Sequence, residues 1–256
     1  LKPYYPKNKK RDTSWQGVAK WYKKAVGEKG LYFHTSVIFP KGLKLLELAP
    51  GDSLLDLACG EGVLSRQIPK NVYYQGVDLA NDLINFAKKD NPSARFEFGD
   101  ITQPLKVDKK DFTHASIILA LQNIEDYDSV FQNAAKHLRP DGRFLIVLNH
   151  PYFRIPRQTS WGIDESKKIQ YRRLDRYYSP LKIPINMTPG STEQKNTWSF
   201  HFPLETYIRS LVDNGFVIEA VEEWLSDKNS VGKAAKMENR ARDEFPMFMA
   251  IVARKC

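Results

Sequence analysis

Two carboxylates and a pair of glycines carry the first legible chemistry. Asp56 lies in the apolar run Ser53-Leu54-Leu55-Asp56-Leu57, which breaks into Ala58-Cys59-Gly60-Glu61-Gly62. Asp78 ends a second apolar run, Val72-Tyr73-Tyr74-Gln75-Gly76-Val77, 18 residues after Gly60. Such short runs read as buried parallel strands. A glycine turn after the first strand lets a ligand approach the backbone closely. A carboxylate at the tip of the next strand is placed to take both ribose hydroxyls. Asp56 would repel a pyrophosphate and attract an ammonium or a sulfonium. Ser65 also stands where the dinucleotide fingerprint has its third glycine. The pattern implies a site for a cationic nucleoside.

The elements that must position these residues alternate between apolar strand runs and helical periodicity. Strands are expected at about 53–57, 72–77, 94–98, 112–118 and 143–148, with helices at about 62–68, 81–89 and 127–138. This alternation implies an α/β fold with helices on both faces of a parallel sheet. After Pro203, Leu204 to Asn214 reads as an amphipathic helix ended by Gly215. Phe216 to Val221 and Pro246 to Ala253 read as a sixth and a seventh strand.

With these motifs in order, the chain resembles the class I, Rossmann-like S-adenosylmethionine-dependent methyltransferases from about residue 50 to 150 and again from about 203 onward. Asp56 to Gly62 resembles their first motif, with Ala58 where glycine is commoner. Gly76-Val77-Asp78-Leu79 resembles the second-strand motif. Phe98-Gly99-Asp100-Ile101 resembles the third, whose acid accepts from the adenine amino group. Phe112 to Asp126 resembles the fourth strand and its loop, with Thr113 where aspartate is usual and Gln122-Asn123 where histidine is frequent. Leu138 to Phe144 resembles the turn into the fifth strand.

The resemblance implies a three-layer, doubly wound, seven-stranded and mostly parallel sheet, its last strand antiparallel and inserted between the fifth and sixth. It implies S-adenosylmethionine as cofactor, held by Asp56, Ala58, Cys59, Gly60, Gly62, Asp78, Leu79, Asp100, Ile101 and Leu119. Tyr22, from a Trp-Tyr pair on an N-terminal helix, would either reach the methionine end or simply pack. Cys59 reads as a small turn residue, since apolar neighbours favour the neutral thiol.

The implied reaction is in-line displacement of the sulfonium methyl by an acceptor oxygen or nitrogen, in which the protein mainly aligns two reactants. His150 and His201 are candidate bases because imidazole titrates near neutrality, and Tyr152 shares the carboxyl end of the fifth strand with His150. Asn149-His150-Pro151-Tyr152 also resembles the Asn-Pro-Pro-Tyr signature of amino-methylating DNA and RNA methyltransferases. Here, however, it follows the fifth strand and carries histidine second.

Asn149 to Phe202, over fifty residues, is too long for a plain connection. Ile169 to Ile185 and Asn196 to Phe202 have partial β patterning with Pro189-Gly190 between them, which predicts a small antiparallel lid over the acceptor. Gln122, Arg154, Arg157, Tyr171 and Trp198 are candidate acceptor contacts, with arginine forks suited to an anionic or aromatic acceptor.

The division expected is a single domain: a basic arm over 1–12, N-terminal helices over 13–49, a cofactor-binding half over 50–149, a lid over 150–203 and a closing part over 204–256. Thr13 or Ser14 would cap the first helix, which Gly27 ends. A second helix would run from Tyr32 to Leu48 with an interruption near Pro40, and His34 reads as structural or exposed.

Composition fits a globular enzyme of 256 residues, 42% of them hydrophobic. No apolar run reaches bilayer-spanning length, no secretory signal is expected ahead of the first helix, and two cysteines make neither a disulfide framework nor a metal site. A reducing cytoplasm is the expected compartment. The net charge of +9 is concentrated early, with eleven Lys or Arg against two acids in the first 44 residues. That leaves RNA or protein as an alternative acceptor beside a small molecule.

Overall fold

The computed structural model describes residues 15–27, 30–188, 192 and 195–256. In chain order these form α1 (Ala19–Val26), α2 (Phe39–Leu46), β1 (Ser53–Leu57), β2 (Tyr73–Asp78), α3 (Asn81–Asp90), β3 (Arg95–Phe98), β4 (Phe112–Ile118), α4 (Tyr127–His137) and β5 (Leu138–Asn149). Two hairpins follow, β6 (Thr159–Asp164) with β7 (Ile169–Leu174) and β8 (Leu181–Asn186) with β9 (Asn196–His201). The remaining elements are α5 (Leu204–Asp213), β10 (Phe216–Trp224), α6 (Ala235–Glu244) and β11 (Phe248–Lys255).

Seven strands make one sheet in the order β10-β11-β5-β4-β1-β2-β3. It is parallel from β5 to β3, and β11 runs antiparallel to both of its neighbours. Every residue of β1 is buried, including Ser53 and Asp56, with helices covering both faces of the sheet. Val130 and Phe131 of α4 and Tyr207 and Leu211 of α5 fill one face. Leu46 of α2, Ile38 just before it, and Ile84 and Ala87 of α3 fill the other. The expected three layers are therefore present. Asp126 caps α4 by accepting from the Ser129 amide at 3.1 Å, and Gly215, at φ +82°, follows α5.

Four local expectations are corrected. Residues 62–68 form turns and one 3₁₀ turn, Leu64–Arg66, not an α-helix. Gly62 sits at φ +76°, outside helical space, and Pro69 denies the segment room to continue. The helix through 32–46 is not broken at Pro40. It widens instead into a π-turn over His34–Ile38, where the proline's missing N–H is absorbed. The turn expected within Leu138 to Phe144 is a bulge within β5, since Phe112 pairs with Leu138 and His114 already with Arg143. The lid is two separate hairpins. Residues 169–185 divide between them, and β6 was not anticipated. The Thr13 or Ser14 cap, the basic arm and the Pro189-Gly190 turn lie outside the described residues.

Candidate active site

A cavity of about 1100 Å³ opens beyond the carboxyl ends of β1, β2 and β4. Open α/β sheets bind ligands at such a place, because the loops there diverge from the rigid strand ends. Asp56, Ala58, Cys59, Gly60, Asp78, Leu79, Asp100, Ile101 and Leu119 all line it, and so does Tyr22 from α1. Of the residues named for the cofactor, Gly62 alone sits behind the wall, where a side chain would strike Phe96.

The glycine turn is held from below. Asp78 Oδ2 accepts from the Gly60 amide at 2.8 Å and Oδ1 from the Ala80 amide at 2.8 Å. Burial raises the Asp78 carboxyl above its usual value, and these amide donors pull the other way. Gly60 itself has φ +58° and a bare face toward Tyr22, so the backbone is open to a ligand. Ala58 (φ +59°) and Leu119 (φ +53°) are left-handed too, although neither is glycine. Each costs about 1–2 kcal/mol, and both stand at strand ends on the cavity wall, where such strain commonly collects.

Asp56 is 3% exposed. Its Oδ1 accepts from Ser116 Oγ at 2.8 Å and its Oδ2 from Tyr74 Oη at 2.6 Å. Burial nevertheless pushes this carboxyl up to about 6, with nearby Asp78 adding to the rise. Cys59 turns its sulfur beneath the turn, against the bare face of Gly76, and burial raises its thiol. It is a packing residue. Asp100 Oδ1 accepts from the Thr102 amide and hydroxyl at 2.9 and 2.7 Å, which fixes the carboxylate beside Ile101. Thr113 faces the far end of the sheet, where it exchanges hydrogen bonds with Ser53.

The rest of the cavity runs under the β8–β9 hairpin, whose Lys182, Ile185, Ser199 and Phe200 line it. Trp15, Leu31, His34 and Phe39 enter from the N-terminal side. Gln122 lines it as expected; its Nε2 donates to Leu119 O at 2.7 Å, while its buried Oε1 has no partner among the described residues. One cation, Lys182, faces six acids on this wall among the described residues, and it is paired to one of them, Glu125, at 2.8 Å.

The other acceptor and catalytic candidates stand elsewhere. His150 is fully buried, donates from Nε2 to Glu223 at 2.6 Å and accepts from the Tyr152 amide at Nδ1. It ties the end of β5 to β10. His201 Nε2 donates to the Tyr177 carbonyl at 2.6 Å, and Tyr152 stacks on the Tyr177 ring at 4.2 Å. Burial holds both imidazoles below their ordinary value. Arg154, Arg157, Tyr171 and Trp198 are not on the cavity wall. Tyr171 lies across Gly162 in the β6–β7 hairpin, and Lys182 sits 5.6 Å over the Trp198 ring.

His34, Phe39, Trp15 and Phe200 are among the cavity residues that the sequence does not mark as candidates. His34 is buried, stacks on Phe39 at 5.2 Å and accepts the Leu31 amide at Nδ1. Burial lowers it to about 4. The imidazole is therefore neutral, and acceptance at Nδ1 leaves its proton on Nε2. Its aromatic flanks were the available signal, but only the fold of the N-terminal segment brings them over the sheet.

Residues 54–142 match the model of a methyltransferase domain family. A ubiquinone biosynthesis O-methyltransferase from Coxiella burnetii is 27% identical over 124 residues, covering 45% of this chain and 53% of that protein. A demethylmenaquinone methyltransferase from Streptomyces avermitilis is 28% identical over 151 residues, 58% of this chain and 60% of that protein. The chain spans about half the length of the curated relatives it matches. The solved S-adenosylmethionine dependent methyltransferase from Mesorhizobium loti shares the fold at a TM-score of 0.65 and 24% identity, over 87% of this chain and 100% of that one. Among the described residues no helix is long and apolar enough to cross a membrane.

Proposed function

Since residues 54–142 belong to the methyltransferase domain family and the chain has the class I S-adenosylmethionine-dependent methyltransferase fold, we propose that it methylates an oxygen or nitrogen of a small, largely apolar acceptor. One observation carries the acceptor class. The cavity continues past the glycine turn beneath Phe200 and Ile185, and its wall combines apolar and neutral polar side chains with six acids against one lysine. At about 1100 Å³ it exceeds a usual single-ligand site and leaves room for a second reactant. A polyanion would meet six acids and one paired lysine there, which disfavours RNA and an anionic acceptor alike. By their names, the two relatives above act in quinone metabolism, and an aromatic acceptor suits these walls.

The residues fit S-adenosylmethionine. Asp78 beside the open Gly60 backbone suits the ribose, Asp100 suits the adenine amino group, and Asp56 with Gln122 Oε1 gives the cationic end an acidic, hydrogen-bond-accepting surround. When bound, the cofactor supplies an electrophilic methyl group. The protein's share is orientation, which is worth roughly 7–11 kcal/mol in favourable cases. No imidazole on this wall is poised as a base, because His34 presents its Nε2–H. A hydroxyl acceptor would therefore react as its own anion, with His34 donating to the oxygen.

A test is methyl transfer from labelled S-adenosylmethionine to a panel of phenols, quinols and amines, with RNA as a separate arm. Transfer to small acceptors is expected, its rate rising with pH through the acceptor's own ionisation. Transfer to RNA alone, with binding that collapses in salt, would overturn the reading.

Asp56 sets a second expectation. A carboxyl at about 6 in the free chain attracts a cation only once ionised. Cofactor affinity should be full above about pH 6 and fall by up to tenfold per unit below it, as the linked proton returns. Calorimetry from pH 5 to 7.5 in buffers of differing ionisation enthalpy reads both the affinity and the proton release. A flat affinity over that range would refute the Asp56 role.

A further inference from the structure

Arg154, Arg172 and Arg242 come from three elements: the segment after β5, strand β7 and helix α6. An aromatic seam brings those elements together. Phe153 packs on Phe245 at 5.4 Å, Phe245 on Trp161 at 5.5 Å, and the Arg172 guanidinium lies 5.0 Å over the Trp161 ring. Arg172 donates to the Phe153 carbonyl and to Thr159 Oγ1, and Arg242 to Ser230 Oγ, all of them uncharged acceptors. The Arg154 side chain has no hydrogen-bond or ion-pair partner among the described residues, and the Nε atoms of Arg154 and Arg242 are buried without an acceptor.

Other arginines of the described residues are paired with acids. Arg173 is forked on Asp175, and Arg254 holds both Glu219 and Asp141. Asp243 and Glu244 of α6 are exposed and bridge to none of the three. Burial, with Arg172 and Arg242 adding repulsion, lowers Arg154 to about 10. A charged donor left unpaired in a buried position is more costly than a neutral one. A group carrying negative charge and several oxygens would relieve the repulsion and satisfy the donors together.

We propose that these three arginines form a binding site for a phosphate-class oxyanion, separate from the methyl-transfer cavity. The unpartnered Arg154 guanidinium and the remaining N–H groups of Arg172 and Arg242 offer more donors than the two oxygens of a carboxylate use, and suit the three or four oxygens and double charge of a phosphate. None of the three arginines lines the cavity, although Pro156, two residues beyond Arg154, does. The site is therefore distinct from the cavity lining, and it does not depend on the methyl-transfer reading.

The probe is inorganic phosphate, titrated into the full chain against chloride at constant ionic strength and followed by calorimetry and thermal unfolding. Saturable binding with a raised Tm is expected. Arg154→Gln should weaken it by about tenfold or more, the loss typical of one charged hydrogen-bonding group, while Arg173→Gln should leave it unchanged. S-adenosylhomocysteine should not compete. Should Arg154→Gln fail to fold, Arg242→Gln gives the same reading from an independent element. Phosphate acting no better than chloride, equal binding by the two cluster variants and wild type, or competition by S-adenosylhomocysteine would each overturn the site.

Discussion

Replacing Asp78 by alanine should weaken S-adenosylmethionine binding by about a hundredfold or more. Hydrogen bonds to a charged group contribute roughly 1.5–3 kcal/mol each, and a ribose diol would use two. The carboxylate is also what holds the turn, through the Gly60 and Ala80 amides at 2.8 Å. Losing it frees the backbone that must face the ligand. Asp78→Asn separates the two contributions. It keeps one acceptor oxygen for a backbone amide but loses the charge and one ribose acceptor, so it should fall between alanine and wild type. Calorimetry gives the affinity, and unfolding curves check that both variants remain folded. Unchanged affinity in Asp78→Ala would remove the ribose assignment, and with it the main physical reason for placing the cofactor at this turn.

The parts of this site that could be read from the sequence are those whose neighbours in the chain are also their neighbours in space. Asp56, Gly60 and Asp78 are legible because a buried strand of a parallel sheet is an uninterrupted apolar run, and the sheet fixes where such a run must end. The position of β11 between β5 and β10 did not come from periodicity. It followed from the resemblance alone. The helix expected over 62–68 failed because its apolar spacing was real while Gly62 and Pro69 bounded too short a segment. The hairpins were harder. A two-stranded ribbon has no sheet to decide which face is inward, so composition marks Tyr171 and Trp198 for the acceptor without fixing which way they turn. The structure turns β8–β9 to the cavity and packs β6–β7 against α6. His150 and His201 were chosen for the pKa of a free imidazole, whereas here each spends its Nε2 proton on a fixed partner. His34 reads from the sequence only as structural or exposed, because its place on the cavity wall depends on how the N-terminal segment packs over the sheet, which no local pattern encodes.

Gly62→Ala should destabilise the fold by about 2–5 kcal/mol, a large share of the 5–15 kcal/mol that holds a typical domain. Two costs add. The residue sits at φ +76°, where an alanine loses about 1–2 kcal/mol. Its Cβ would also stand 2.6 Å from Phe96 Cε1 and Cζ and 3.2 Å from Asn91 Nδ2. The Phe96 ring is 4% exposed and packed on Tyr74 at 5.6 Å, so it cannot swing aside, and overpacking of this kind costs about 1–3 kcal/mol. Gly215→Ala isolates the first cost, since that glycine has φ +82° with nothing within 4 Å of the added carbon. It should lose only about 1–2 kcal/mol. Pairing Gly62→Ala with Phe96→Leu should then recover part of the clash, making the double variant less destabilised than the sum of the singles. Urea unfolding of wild type, the three single variants and the double variant measures each value. Equal losses at Gly62 and Gly215, with strict additivity in the double variant, would mean that the backbone alone requires glycine there. The close approach of β3 to the turn would then play no part in shaping the floor of the cofactor site.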